Sequence, residues 1–235
     1  MIDYARIEET LMTTLGLERR PIAVAFCDTA PAGVRKFTGS QPSGCSFWRL
    51  AARGDAFYTE PTDHMNCPVG SYTHNIALPP EREQELPQVL SLMSDIGYIR
   101  MQEVGGIPRL PTTPSAIVYA PLGQSSVAPD VVLVSGRPGR MMLLQEAATR
   151  AATSVTSMLG RPTCMAIPAA MSGSLVPSLG CVGNRIYTGV SDDEFYVAIA
   201  GQALPGVVEQ LSTIVSANAA LTDYHLARRA TLATA

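Results

Sequence analysis

Short apolar runs bounded by turn-forming residues constrain the fold of this 235-residue chain more than any other feature. They are PIAVAFC at 21–27, SAIVYAPL at 115–122, VVLVSG at 131–136 and EFYVAIAG at 194–201. Each is short for a helix, rich in β-branched or aromatic residues, and flanked by Pro, Gly or Asp, which predicts buried strands. AFYT, CMAI and the SLVPSLG segment before Cys181 are predicted as further strands.

Helical segments are interspersed with these runs. Helices are predicted at 3–17, 45–54, 81–97, 136–160 and from about 204 onward, the longest of them running from near Pro138 to Gly160. Because strands and helices do not alternate strictly, we expect an α/β or α+β fold with a mixed sheet flanked by helices. We expect a single compact domain over residues 1–235, with the Pro-rich segment 105–114 as an internal connection.

Composition excludes several classes of protein. Hydrophobic residues make up 46% and charged residues 16%, which is typical of a globular chain and not of a disordered one. The net charge is -3 and the basic residues are scattered, so no nucleic-acid partner is expected. No apolar run approaches ~20 residues, and the first residues carry early acids, unlike a signal peptide. We therefore expect no membrane span, a cytoplasmic location and reduced cysteines, and leave a homo-oligomer open.

The settings of the five cysteines differ. Cys45 opens a predicted helix, Cys67 lies in the turn TDHMNCPVG, and Cys181 is flanked by Gly180 and Gly183. Missing side chains at these two glycines allow the backbone to approach a bulky group, so both are predicted to take part in binding a cofactor. Three thiols in three tight turns are typical of ligands.

The remaining two cysteines are assigned differently. Cys27 ends an apolar strand and is expected to be a core residue. Cys164 is left open between a ligand and a packing residue.

The residues alone leave three possibilities open: an iron–sulfur cluster, a zinc ion or no metal. Thiols drawn singly from distant loops, one of them in a Cys-Pro step, suit an iron–sulfur cluster held inside a fold. Paired C-x2-C ligands typical of structural zinc are absent, but the spacing of His64 and Cys67 leaves zinc as the alternative cofactor.

Two long stretches resemble a known family. GCSFWRLAARGDAFYTEPTDHMNCPVG and PSLGCVGNRIYTGVSDDEFYVAIAG are similar to the family designated domain of unknown function 169, also called ArCR-like. The similarity rests on Cys45 before a short helix, the Cys67-Pro-x-Gly turn, and the late Gly-Cys-x-Gly-x-Arg sequence that holds Cys181 and Arg185. It implies that these cysteines belong together, and it implies no reaction.

The residues therefore predict a [4Fe–4S] cluster on Cys45, Cys67 and Cys181 with one iron open to a small-molecule substrate or ligand. An open metal position favours a non-redox lyase or desulfidase-type reaction. If Cys164 is a fourth ligand, electron transfer or redox sensing becomes the better prediction. A small-molecule or zinc-binding module without catalysis is the other alternative.

Two further side chains are candidates for catalysis. His64 is predicted to move a proton for the substrate, with Asp63 bonded to its ring and raising its pKa; the alternative is a loop residue. Arg185 is predicted to bind a substrate carboxylate, and a structural ion pair is the alternative.

Overall fold

A seven-stranded sheet forms the centre of the computed structural model, which describes residues 2–157 and 159–233. Its strands are β1 (Ile22–Cys27), β2 (Phe57–Thr59), β3 (Ala116–Pro121), β4 (Val131–Gly136), β5 (Ser154–Val155), β6 (Ser174–Ser178) and β7 (Phe195–Ala200). Their order across the sheet is β2-β3-β1-β4-β7-β6-β5, and neighbours are antiparallel except β5 and β6, which are parallel. The expected mixed sheet in a single α+β domain is confirmed.

Helices connect and cover these strands. They are α1 (Tyr4–Leu15), α2 (Gly44–Ala52), α3 (Pro68–Thr73), α4 (Glu85–Asp95), α5 (Pro138–Arg150), α6 (Ala166–Ala170), α7 (Val182–Thr188) and α8 (Leu204–Ala233). The ends of α1 carry the capping residues that let the sequence predict its bounds. The Asp3 carboxylate accepts a hydrogen bond from the Arg6 amide at its start, and Gly16 ends it in the left-handed conformation.

Both faces of the sheet are buried, which explains the continuous apolar runs. Val24 and Leu133 pack with α2 and α6 on one face, whereas Ala23 and Val132 pack with α1, α5 and α8 on the other. Successive side chains of a strand point to opposite faces, so a strand covered on both sides has no polar positions to alternate with. The candidate site lies on the α2 and α6 side.

Two predictions about secondary structure are wrong. The helix expected to reach Gly160 ends at Arg150, and β5 follows it and pairs with β6. The longest helix is α8 instead. CMAI, expected as a strand, forms a 3₁₀ turn at Thr163–Met165 and the start of α6. Its apolar residues are buried against the sheet, and a short apolar run does not distinguish a buried strand from a buried helix.

The Pro-rich segment 105–114 connects the α4 region to β3 across the surface of α3. The Leu110 amide donates to the Thr73 carbonyl at 2.9 Å, and the Arg109 guanidinium lies 4.2 Å from the centroid of the Tyr72 ring. These contacts fasten it to the domain. Across residues 2–157 and 159–233, no helix is both long enough and apolar enough to cross a membrane.

Candidate functional site

Four cysteines line one cavity of about 690 Å³. We call Cys45, Cys67, Cys164 and Cys181 the cysteine cluster, and the space that they line the cysteine cavity. The fifth cysteine, Cys27, lies at the end of β1 and does not line the cavity. The structure therefore brings together the three cysteines singled out as ligands, and places Cys164 with them.

Each member of the cluster lies at the beginning of a helical segment. Cys45 is in the first turn of α2, while Cys67 and Cys181 are the residues that immediately precede α3 and α7. Cys164 lies in the 3₁₀ turn that leads into α6. Main-chain N–H groups at a helix start have no partner inside the helix, so these positions supply donors to a thiolate or a bound group.

Cys67 shows this arrangement most clearly. The Gly70 amide donates a hydrogen bond to Cys67 Sγ at 3.3 Å, and amides of Gly44 and Val69 also lower the pKa of this thiol. A Cβ atom added at Gly70 would lie only 3.2 Å from Sγ. Glycine therefore allows the backbone of α3 to approach the sulfur closely. Burial outweighs the three amides, and the pKa of Cys67 is raised above its ordinary value.

Burial, together with negative charge on neighbouring thiols, raises the pKa values of Cys45 and Cys164. Burial raises the pKa of Cys45 to about 12, and negative charge on Cys67 or Cys181 adds to the rise. Burial also raises the pKa of Cys164 well above its usual range, with further contributions from the other three cysteines. These thiols would therefore have to lose their protons to bind a positively charged centre as thiolate ligands.

Asn184 carries an unpartnered amide into the same cavity. Its side chain is 1% exposed, and neither the oxygen nor the nitrogen of the amide has a hydrogen-bond partner among the described residues. The amide lies close enough to Cys45 to lower the pKa of that thiol, although no hydrogen bond of normal geometry joins them. An unsatisfied buried amide costs roughly 1–3 kcal/mol, so this residue is suited to a polar group of a ligand.

Within the part of the chain that the structure describes, no group of three or more His, Cys, Asp or Glu side chains is arranged to hold a metal ion.

His64 lies behind the wall of the cavity and does not line it. The Thr59 hydroxyl donates to the Ile117 carbonyl at 3.2 Å, so its oxygen accepts from His64 Nε2–H at 2.8 Å. The expected contact with Asp63 is wrong, because that carboxylate accepts from the Glu60 amide at 2.8 Å and caps a 3₁₀ turn. The expected rise in pKa is also wrong, since burial lowers the pKa of His64 well below 6.5.

Arg185 also lies outside the lining of the cavity. Its guanidinium donates to the main-chain carbonyls of Leu179, Ser191 and Glu194, and Asp192 lies 3.8 Å away. These bonds hold together the two chain segments that enter and leave α7. They favour the structural alternative over the predicted binding of a substrate carboxylate.

The two glycines near Cys181 have different surroundings. Gly183 lines the cavity. Gly180 does not line it; its φ of +89° lies in the region that favours glycine, and an added Cβ would be 3.2 Å from Asn184 Oδ1. Gly180 therefore positions Asn184 and Cys181 without bordering the cavity.

One wall of the cavity is mainly apolar. It is built by α4, by the 3₁₀ turn Met101–Gly106 and by the residues beside them: Val89, Leu90, Met93, Ile99, Val104 and Ile107. Two charged side chains, Glu103 and Arg161, interrupt it.

A family model covers most of this architecture. The model of the DUF169 family, described as uncharacterised ArCR, matches residues 10–210. The chain belongs to this family. The resemblance inferred from the cysteine motifs is thereby confirmed. No curated protein and no solved structure matched this DUF169 chain.

Sequence reasoning missed two features of the DUF169 site. Asn184 lies three residues after Cys181, so its position next to a helix start was the available signal. The apolar wall gave no such signal, because α4 looks like an ordinary amphipathic helix and its proximity to the cysteines depends on the tertiary fold.

Proposed function

We propose that this DUF169 protein is an iron–sulfur protein of the cytoplasm, with a [4Fe–4S] cluster on Cys45, Cys67 and Cys181 and a small-molecule site beside it. One observation carries the proposal: cysteines from four separate segments meet on one cavity, although nothing in their local sequence spacing requires it. Core packing alone explains single buried cysteines, but it does not explain four of them around a cavity.

The surroundings of the thiols are compatible with a cluster. Its cysteine ligands can come singly from distant segments, as these four do, whereas structural zinc ligands usually come in closely spaced pairs. The amide that donates to Cys67 Sγ is the kind of hydrogen bond that tunes cluster potentials.

The size of the cavity supports a small molecule next to the cysteines. A volume of about 690 Å³ lies in the range of ordinary ligand sites and exceeds what four ligand sulfurs enclose. When bound through three cysteines, a cluster supplies an open iron that acts as a Lewis acid, suited to a non-redox lyase or desulfidase reaction. The apolar wall suits the non-polar part of a ligand, and the Asn184 amide is available to orient a polar group near Cys45.

The position of Cys164 supports a second candidate function. Its thiol lies near those of the other three cysteines, since each of them contributes to its raised pKa. With Cys164 as a fourth ligand no iron would remain open, and electron transfer or redox sensing would replace the lyase reaction.

Iron and sulfide analysis after anaerobic purification tests the cluster. We expect about four iron atoms and four sulfides per chain, and Cys67→Ala should lose most of both. Cys27→Ala is the matched control, because Cys27 lies away from the cavity and its loss should leave the iron content unchanged. A colourless wild-type protein, or one that contains stoichiometric zinc, would rule out the cluster.

Cys164→Ala separates the two candidate functions. If one iron is open, this variant keeps its iron and sulfide, whereas Cys45→Ala and Cys181→Ala lose them. If Cys164 is a ligand, its loss should lower the cluster content as much as the loss of Cys67 does. The readout is iron per folded chain, with folding checked by circular dichroism.

A further inference from the structure

The two charged side chains in the cysteine cavity differ in the ionic partners available to them. Among the residues described, the only Lys, Arg, Asp or Glu side chains that line it are Glu103 and Arg161. Arg100 Nε donates to Glu103 Oε1 at 2.8 Å, which holds the pKa of this carboxyl below its usual value and keeps it ionised. Glu103 is thus paired with Arg100, a cation that does not line the cavity.

Arg161, by contrast, has guanidinium N–H donors that no described residue accepts from. Its closest acidic contact is Glu103 Oε2 at 3.6 Å, and its guanidinium makes no hydrogen bond within residues 2–157 and 159–233. The guanidinium lies over the Tyr98 ring, 4.6 Å from the centroid, and the side chain is 38% exposed. A guanidinium held over an aromatic ring still presents its N–H donors to a planar anion.

Apolar side chains make up the rest of this end of the cavity. Val89 and Met93 of α4, with Ile99, Val104 and Ile107 after it, all line the cavity. A cavity of this kind, apolar with one forked cation, matches a ligand that has an apolar body and one carboxylate. The unpartnered amide of Asn184 is a second, independent sign that a polar ligand group belongs in this cavity.

We propose that the cysteine cavity takes a small carboxylic acid with a branched or aromatic body, and that Arg161 binds its carboxylate. Val89, Met93 and Ile107 contact the apolar body, and Asn184 hydrogen-bonds the ligand beside Cys45. Arg161 thereby takes the part that the sequence had suggested for Arg185. This assignment rests on the proposed small-molecule function of the cavity and names the substrate class for it.

Calorimetric titration of the anaerobically purified protein tests the assignment with three probes: 3-phenylpropionate, its neutral amide 3-phenylpropionamide, and acetate. We expect the wild type to bind 3-phenylpropionate at least ~10-fold more tightly than the amide, and acetate weakly, since acetate lacks the apolar body. Arg161→Gln should weaken 3-phenylpropionate by ~10-fold or more and leave the amide unchanged. Arg161→Lys, which keeps the charge but loses the fork, should fall between them.

Arg109→Gln is the matched control. Arg109 also stacks on a tyrosine, but it lies outside the cavity lining, so its loss should not change the preference for the carboxylate. Equal binding of acid and amide by the wild type, or unchanged acid binding in Arg161→Gln, would overturn the proposal. If Arg161→Gln does not fold, Arg161→Lys and the wild-type probe series decide.

Iron measured in the same samples keeps the two proposals apart. A preparation that lacks iron but prefers the carboxylate would reject the cluster and support the assignment of Arg161. A preparation with full iron content and no preference between acid and amide would reject the assignment of Arg161 and leave the cluster in place.

Discussion

His64 and His74 lie face to face inside the protein, with ring centroids 5.7 Å apart and each side chain 2% exposed. His74 Nδ1 lies 3.0 Å from the Gly70 carbonyl, whereas its Nε2 is buried without a partner among the described residues. Burial lowers the pKa of His74 to about 4, and the Gly70 carbonyl only partly opposes this. Both rings therefore stay neutral at neutral pH.

These histidines make stability depend on pH. Their folded pKa values lie below the unfolded value of about 6.5, so the unfolded chain binds more protons as the pH falls below 6.5. Above pH 7 the rings are neutral in both states and add no pH dependence. Between pH 7 and pH 5 we expect His74 alone to lower the free energy of unfolding by about 2 kcal/mol.

Urea unfolding at several pH values measures this loss. His74→Gln should flatten the dependence between pH 7 and pH 5, because the titrating group is gone. His225→Gln is the control, since His225 is exposed on α8 and its removal should leave the slope as it is. An identical slope in His74→Gln and the wild type would contradict the prediction.

At the scale of single elements, the end of α5 departs most from the expectation. Ala152 follows the helix with φ of 54°, in the left-handed region that disfavours a residue with a Cβ atom. The Thr153 amide donates to the Ala148 carbonyl at 2.9 Å, which closes the turn and directs the chain into β5. The helix thus ends through a backbone conformation usually supplied by glycine.

Ala152→Gly should therefore stabilise the protein by about 0.5–1 kcal/mol, because glycine adopts this conformation without steric cost. Ala151→Gly is the matched control. Ala151 has φ of -76°, so glycine there should destabilise the protein through its larger unfolded-state entropy. Thermal unfolding of both variants measures the two opposite shifts, and a lower Tm for Ala152→Gly would contradict the expectation.

The strands of the sheet show how far local sequence determines secondary structure. β1, β3, β4 and β7 were predictable because burial on both faces leaves an unbroken apolar run in each. β5 has two residues and is defined by its pairing with β6. Because nothing in its local sequence interrupted the helical pattern, the sequence predicted a helix across it. At the site, the cysteines were visible from their turns, whereas the proximity of Arg161 to α4 depends on distant packing.

On the scale of the whole molecule, α8 divides into two parts. Val207 and Leu211 are fully buried against the sheet, whereas residues 219–232 are all exposed. The family model stops at residue 210, close to this division. The first part of α8 belongs to the core, and the second contributes little burial within the chain.

Deletion of residues 219–235 should shift the Tm by less than about 2 °C, because little apolar surface is lost from the core. Deletion from Val207 onward is the control, and it should lower the Tm strongly because it removes buried side chains. Size-exclusion chromatography of the shorter deletion tests the homo-oligomer left open by the sequence. A large fall in Tm together with a smaller assembly would contradict the prediction and place an interface between copies on α8.

The separation of the four cysteines along the chain has a consequence for how the protein matures. Cys45 and Cys67 leave the ribosome well before Cys164 and Cys181, with β3, β4 and α5 made between them. A compact C-x2-C motif captures metal locally, but here the thiols meet only after distant strands have paired. A centre bound by all of these thiols therefore requires the strands between them to pair before its set of ligands is complete.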